Sequence, residues 1–155
     1  MASSSTSWPG SGRLLAVDPG TKRLGLAISD PLRMIACPFR TIDSRGRRKD
    51  LEAIARIVGE EEVVGVIVGL PINMDGTRGP ECEKAERFIE ELRTATGLPV
   101  RGWDERLTSA QAERALVEAG VRRERRRREG LVDRTAAALL LESFLAAAPP
   151  DERDA

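Results

Sequence analysis

Apolar residues fall into short unbroken runs early in this chain and into helically spaced stripes later, a change of period that predicts an α/β domain. Residues 13–18 (RLLAVD) form one run closed by Pro19-Gly20, the pattern of a buried strand ending in a turn. A second run, 24–29 (LGLAIS), follows the short Gly20-Thr21-Lys22-Arg23 connection, which favours an antiparallel hairpin. After Asp30-Pro31, residues 33–42 read as a third strand, and Pro38 places it at a sheet edge or a bulge. Leu51, Ile54, Ala55 and Val58 have helical spacing, and Gly59 is the expected stop. Residues 63–69 (VVGVIVG) are an uninterrupted β-branched run, as in a strand covered on both faces.

Pro80 suits the first turn of a second helix, with Ala85, Phe88, Ile89 and Leu92 on its inner stripe and Gly97 at its end. Residues 98–103 predict a fifth strand. Thr108 and Gln111 have capping-box spacing and open a helix with Ala112, Ala115 and Leu116 inward, closed by Gly120. An arginine-rich stretch precedes a last helix over 131–147. The order β-β-β-α-β-α-β-α-α implies a five-stranded mixed sheet flanked by helices. With 155 residues the chain has room for one substantial core. The expected organisation is one domain over 13–148 between two flexible tails, 1–12 and 149–155, with Trp8 the one anchor available to the first tail.

Composition narrows the chemistry. There is no histidine and no tyrosine, which excludes Ser-His-Asp hydrolysis, histidine metal centres and tyrosine-nucleophile strand transfer. Cys37 and Cys82 are too far apart in sequence for a CxxC pair and read as small hydrophobes. Lys+Arg and Asp+Glu both total 25, so any electrostatic argument is local. No window has the apolar length of a membrane span, and the first residues lack the features of a secretory signal, so a cytoplasmic location without membrane partners is expected. Acid–base or metal chemistry is left to carboxylates.

Three positions supply them. Asp18 ends the first strand and Asp104-Glu105 end the fifth, where open α/β sheets place ligands. Taken singly, these are ordinary turn and loop acids. Asp133 lies early in an apolar helix beside Ala136 and Ala137, where a lone carboxylate is costly unless it is paired or metal-bound. Two readings of it stand side by side: a helix-dipole partner with a salt bridge to an arginine, or a ligand. The small alanines would let that helix approach the sheet. Acids converging at one sheet edge, without histidine, suggest a Mg²⁺-type site, and two such ions can drive phosphodiester hydrolysis by water.

VDPGTKRLGLAISD, IVGLPINMDGTRG, DERLTSAQA and VDRTAAALLLESFL occur in one order across residues 13–145. With these motifs the chain resembles the YqgF family, Holliday junction resolvase-like nucleases associated with pre-16S rRNA end processing. The resemblance implies a ribonuclease-H-like three-layer fold and a hydrolase cutting phosphodiester bonds with Mg²⁺ or Mn²⁺, without a covalent intermediate. It assigns catalysis and metal binding to Asp18, Glu105 and Asp133, with Asp18 bridging two ions; Asp104 is set aside because successive strand-end side chains point oppositely. It also implies a role at the 5′ end of pre-16S rRNA during ribosome biogenesis, with structured RNA and pre-ribosomal particles as partners. Cleavage of four-way DNA junctions is the alternative within enzymes, and a noncatalytic nucleic-acid-binding module the alternative outside them.

Basic residues near the acids are the expected phosphate contacts: Thr21, Lys22 and Arg23 in the first hairpin, then Arg106, which is equally suited to neutralising its acidic neighbours. Arg122, Arg123, Arg125 and Arg126 belong to a run that is expected to be mobile without substrate and to grip phosphates with guanidinium forks. Such contacts do not tell RNA from DNA. The loop around 73–77 is a candidate groove wall. Aromatics are only 3%, so Trp103 and Phe144 read as packing residues rather than a stacking platform. The residues leave monomer and homodimer equally open.

Overall fold

The two most apolar runs lie side by side at the centre of the sheet. In this computed structural model, which describes residues 8–20, 22–106, 108–128 and 130–147 apart from the side chains at 108, 109, 127 and 128, β1 (Arg13–Pro19) runs parallel to β4 (Val63–Leu70). β2 (Arg23–Ser29) is antiparallel to β1, β3 (Ala36–Asp43) is antiparallel to β2, and β5 (Val100–Asp104) is parallel to β4. The strand order is therefore β3-β2-β1-β4-β5. β3 is an edge strand, and its pairing with β2 skips a residue next to Pro38, so the proline sits at an edge and a bulge together.

Alternation along the strands fills a core on each face. Leu15, Val17, Val66 and Val68 pack against α1 (Arg47–Glu60) and α2 (Pro80–Thr96). Leu14, Ala16, Ala27 and Ile67 pack against α5 (Leu131–Ala147). Outside α5 lie α3 (Thr108–Glu118) and the short α4 (Arg123–Arg128). This completes the three layers and the mixed five-stranded sheet expected from the sequence. Among the described residues no helix is long and apolar enough to cross a membrane.

The boundaries differ from expectation where side chains override propensity. α1 passes through Gly59 and ends at Glu60, with Glu62 taking a positive φ of 57° just beyond. It also starts earlier, because Asp50 accepts hydrogen bonds from the Ser44 hydroxyl (2.6 Å) and the Arg45 amide (2.9 Å). The arginine run, to which the expected element order gave no helix, forms α4, and Glu129 at its end lies outside the described residues. The capping role expected of the Thr108 side chain also lies outside them. Of the expected tails, 1–7 and 149–155 are outside the description, whereas Trp8 is 7% exposed and stacks edge-on against Phe144 at 5.6 Å. Trp8, inside the segment expected as a flexible tail, is thus held against α5 as the anchor the sequence offered.

α5 rests on β2 at Gly25. A β-carbon on Gly25 would lie 2.1 Å from the Asp133 carbonyl oxygen, which is backbone and has nowhere to go. Gly59 has nothing within 4 Å of the same construction. Gly25→Ala is therefore expected to cost about 2–3 kcal/mol or more by overpacking, while Gly59→Ala, inside a helix, is expected to gain about 0.5–1 kcal/mol. Urea unfolding of both variants checks this, and similar effects from the two would contradict the contact.

Candidate active site

Asp18 lies one pair before the end of the β1–β2 ladder, opposite Gly25, on the face covered by α5. The close approach at Gly25 therefore sets the first turn of α5, with Asp133, alongside Asp18. Thr41 on β3 fixes where that turn begins: its hydroxyl donates to the Gly130 carbonyl at 2.7 Å, and Gly130 has a φ of 63°. Glu105 arrives from the other side of the sheet, directly after β5, where its amide donates to the Leu70 carbonyl at 3.2 Å. Gly69 on β4 leaves the space its carboxyl enters, since a β-carbon there would lie 2.4 Å from Glu105 Oε1.

Asp18 and Glu105 share a hydrogen bond between their half-buried carboxyls. Burial is the main force raising Asp18 from 3.8 to about 6; the hydrogen bond from Glu105 pulls it down and the nearby charge of Asp133 pushes it up. Glu105 rises from 4.5 to about 8, first through burial, then through the charge of Asp18 and their shared hydrogen bond. Two carboxyls so close cannot both ionise cheaply, so one proton is held between them near neutral pH.

Asp133 is engaged differently. Its Oδ2 stands 3.2 Å from Nε of Arg23, a partly exposed ion pair. The structure thus brings Asp18 and Glu105 into contact and sets Asp133 within electrostatic reach, clasped by an arginine from the hairpin. Among the described residues no three acidic or cysteine groups form a ready-made metal cluster. The donor set nevertheless fits a hard divalent cation, being all carboxylate oxygen, with Gly69 keeping the approach to Glu105 clear. A cation held there by Asp18 and Glu105 would supply the positive charge that lets both carboxyls ionise.

The other expected site residues divide. Asp104 is turned to Arg106, accepting from its amide at 2.9 Å and its Nε at 2.8 Å, so Arg106 neutralises a neighbour. Lys22 is exposed in the hairpin, and Thr21 lies outside the described residues. Arg122, Arg123 and Arg125 are exposed on and beside α4. Arg126 is not: its guanidinium bonds Glu113 of α3 at 2.6 Å and the Val121 carbonyl at 2.6 Å, which docks α4 in place. The loop after β4 is ordered by its own side chains, Asp75 accepting from the amide and hydroxyl of Thr77. Sequence reasoning missed Gly25. The available signal was a glycine inside an apolar strand, which marks close approach by another backbone.

The profile of the RuvX (YqgF) family, described as Holliday junction resolvase, matches residues 12–147. A Rhodobacter capsulatus protein is 43% identical over 137 residues, covering 88% of this chain and 85% of its own. A Halothermothrix orenii protein is 42% identical over 133 residues, covering 86% and 94%. Both carry the name "Putative pre-16S rRNA nuclease". In fold, the chain is similar to a fowlpox virus resolvase solved with substrate Holliday junction DNA, with a TM-score of 0.55 at 16% identity, covering 87% of this chain and 97% of the other.

The carboxyl pair gives the metal-free protein a defined pH dependence. Both folded-state pKa values lie above their ordinary ones, so the folded state binds more protons than the unfolded state from about pH 4 to about pH 8. This contribution to stability is fully present below that window and is lost as pH rises through it. In EDTA, Asp18→Asn is expected to flatten the decline and to melt several degrees above wild type near pH 8. Melting curves at intervals across the window check this, and parallel profiles for the two proteins would contradict it.

Proposed function

The chain belongs to the RuvX family, and from that premise we propose that it is a divalent-metal-dependent nuclease that hydrolyses phosphodiester bonds of structured nucleic acid, with the 5′ end of pre-16S rRNA as its substrate. The observation that carries the proposal is the half-buried Asp18–Glu105 pair at the carboxyl ends of β1 and β5, with Asp133 alongside. A fold gains nothing in stability from holding two carboxyls together with raised pKa values, which is why such sites point to function. The nuclease domain spans residues 13–148 and acts in the cytoplasm on pre-ribosomal RNA.

Asp18, Glu105 and Asp133 hold the cation in this reading. Mg²⁺ or Mn²⁺ supplies activation of the attacking water and neutralises charge on the phosphate. Asp18 and Glu105 give up their shared proton when it binds. Arg23 leaves Asp133 for a substrate phosphate, which frees that carboxylate for its ligand role. Lys22 on the same hairpin, and Arg122, Arg123 and Arg125 on the α4 side, meet the flanking backbone, which orients the strand without reading its sequence. A second reading, cleavage of four-way DNA, is favoured by the family's description as Holliday junction resolvase. A binding module that cuts nothing is the reading outside enzymology.

One experiment separates the three. Precursor 16S rRNA fragments and a four-way DNA junction are incubated with wild type, Asp18→Asn or Glu105→Gln in Mg²⁺, Mn²⁺ or EDTA, and binding is measured on the same preparations. The expected result is metal-dependent cutting of the RNA, reduced by about 100-fold or more in either variant, with affinity changed by less than about threefold. Faster cutting of the junction would move the assignment to DNA. Binding without cutting in every metal, unchanged by Asp18→Asn, would leave the noncatalytic module.

A further inference from the structure

An open cavity of about 430 Å³ is lined by Met74, Trp103, Asp104, Arg106 and Ser143, so that both chain neighbours of Glu105 face it. We propose that it receives one unstacked purine base of the substrate strand, next to the phosphate held at the acids. This rests on the nuclease reading of the adjoining carboxyls and adds to it a site of base recognition.

The chain has two tryptophans and three phenylalanines. Trp8, Phe88 and Phe144 are buried, and Phe39 packs on the α1–α2 side of the sheet. Trp103 alone among them lines this cavity, and it is partly exposed. Its ring is held from two directions. Nε1 donates to the Ser143 hydroxyl at 3.1 Å, and Phe144 meets one side in a T-shaped contact at 5.2 Å. Trp103 therefore packs, as its composition context suggested, and also offers surface to a ligand.

Arg106 is fixed as firmly. Its Nε and Nη2 each lie 2.8 Å from Asp104 Oδ2, and Nη1 is 3.5 Å from the Met74 carbonyl. The guanidinium plane is thus set before any ligand arrives, so little ordering cost falls on binding. Because Asp104 neutralises Arg106 and Glu105 adjoins both, the cavity favours an uncharged planar heterocycle over a phosphate. Stacking on an indole strengthens with ring area, which favours purines over pyrimidines. Trp103 and Arg106 flank Glu105 in sequence, so a base seated between them belongs to a nucleotide adjoining the bond being cut.

The test titrates wild type and Trp103→Phe, in EDTA to prevent cutting, with short oligoribonucleotides of one length that are all-purine, all-pyrimidine or abasic. Tryptophan emission and affinity are both read. Wild type should show quenching by the purine oligomer and bind it about tenfold more tightly than the abasic one. In Trp103→Phe the quench should vanish, with circular dichroism confirming the fold. Equal affinity of wild type for purine and abasic oligomers overturns the base pocket even if the variant fails to fold, and so does binding without a Trp103-dependent quench. Either result leaves the nuclease reading intact, because cleavage of precursor rRNA in Mg²⁺ by the same wild-type preparation reports on that separately. No binding of any oligomer, together with no cleavage, overturns both.

Discussion

Helix α5 touches strand β2 at Gly25 more closely than any side chain would permit, and the position of Asp133 beside Asp18 follows from that contact. With a β-carbon 2.1 Å from the Asp133 carbonyl oxygen, the helix would have to lift away from the sheet. Its first turn would then leave Asp18, which sits opposite Gly25 across the β1–β2 pairing. A second vacancy of the same kind, at Gly69, admits the Glu105 carboxyl from the far side. Two missing β-carbons on neighbouring sides of β1 thus draw together acids that are distant in sequence. Thr41 pins the helix start, so the approach has a fixed register as well as a fixed distance.

The arrangement conflicts with stability at the point where it serves function. Burial and mutual repulsion raise Asp18 and Glu105 well above the usual carboxylate range, and the rest of the fold must absorb that cost. Asp133 avoids the same conflict by pairing with Arg23. The hairpin between β1 and β2 therefore has a double role: it orients Asp18 at one end and supplies a removable counter-charge for Asp133 at the other. In the proposed reaction a phosphate and a cation arriving together would satisfy the arginine and the carboxylates at once. That exchange gives a physical reason for a basic hairpin to sit beside an acidic site.

Much of this was legible in the sequence because periodicity and hydrophobicity act locally. The apolar runs of β1, β2 and β4 read directly as strands, Pro38 marked the edge, and the α5 span of 131–147 matched. Asp18, Glu105 and Asp133 were legible as acids at strand and helix ends. What escaped was set by contacts between distant residues. Gly59 looked like a stop, yet the helix runs one residue beyond it and closes with the Glu61 amide on the Ile57 carbonyl, because propensity is a weak force. The arginine run offered no apolar stripe to mark a helix, yet Arg126 bonds Glu113 thirteen residues away and docks α4 there. The choice between a salt bridge and a ligand for Asp133 was open in sequence, and its partner, Arg23, is 110 residues earlier in the chain. No local pattern identifies such a pair.

The central claim is that the fold holds Asp18 and Glu105 around one proton that a cation replaces. Calorimetric titration of Mn²⁺ into the protein near neutral pH, repeated in buffers of different ionisation enthalpy, counts the protons released on binding. About one proton per cation is predicted for wild type, since Glu105 is raised to about 8, and almost none for Glu105→Gln. Cation binding with no proton release in wild type, or an unchanged release in Glu105→Gln, would contradict the account.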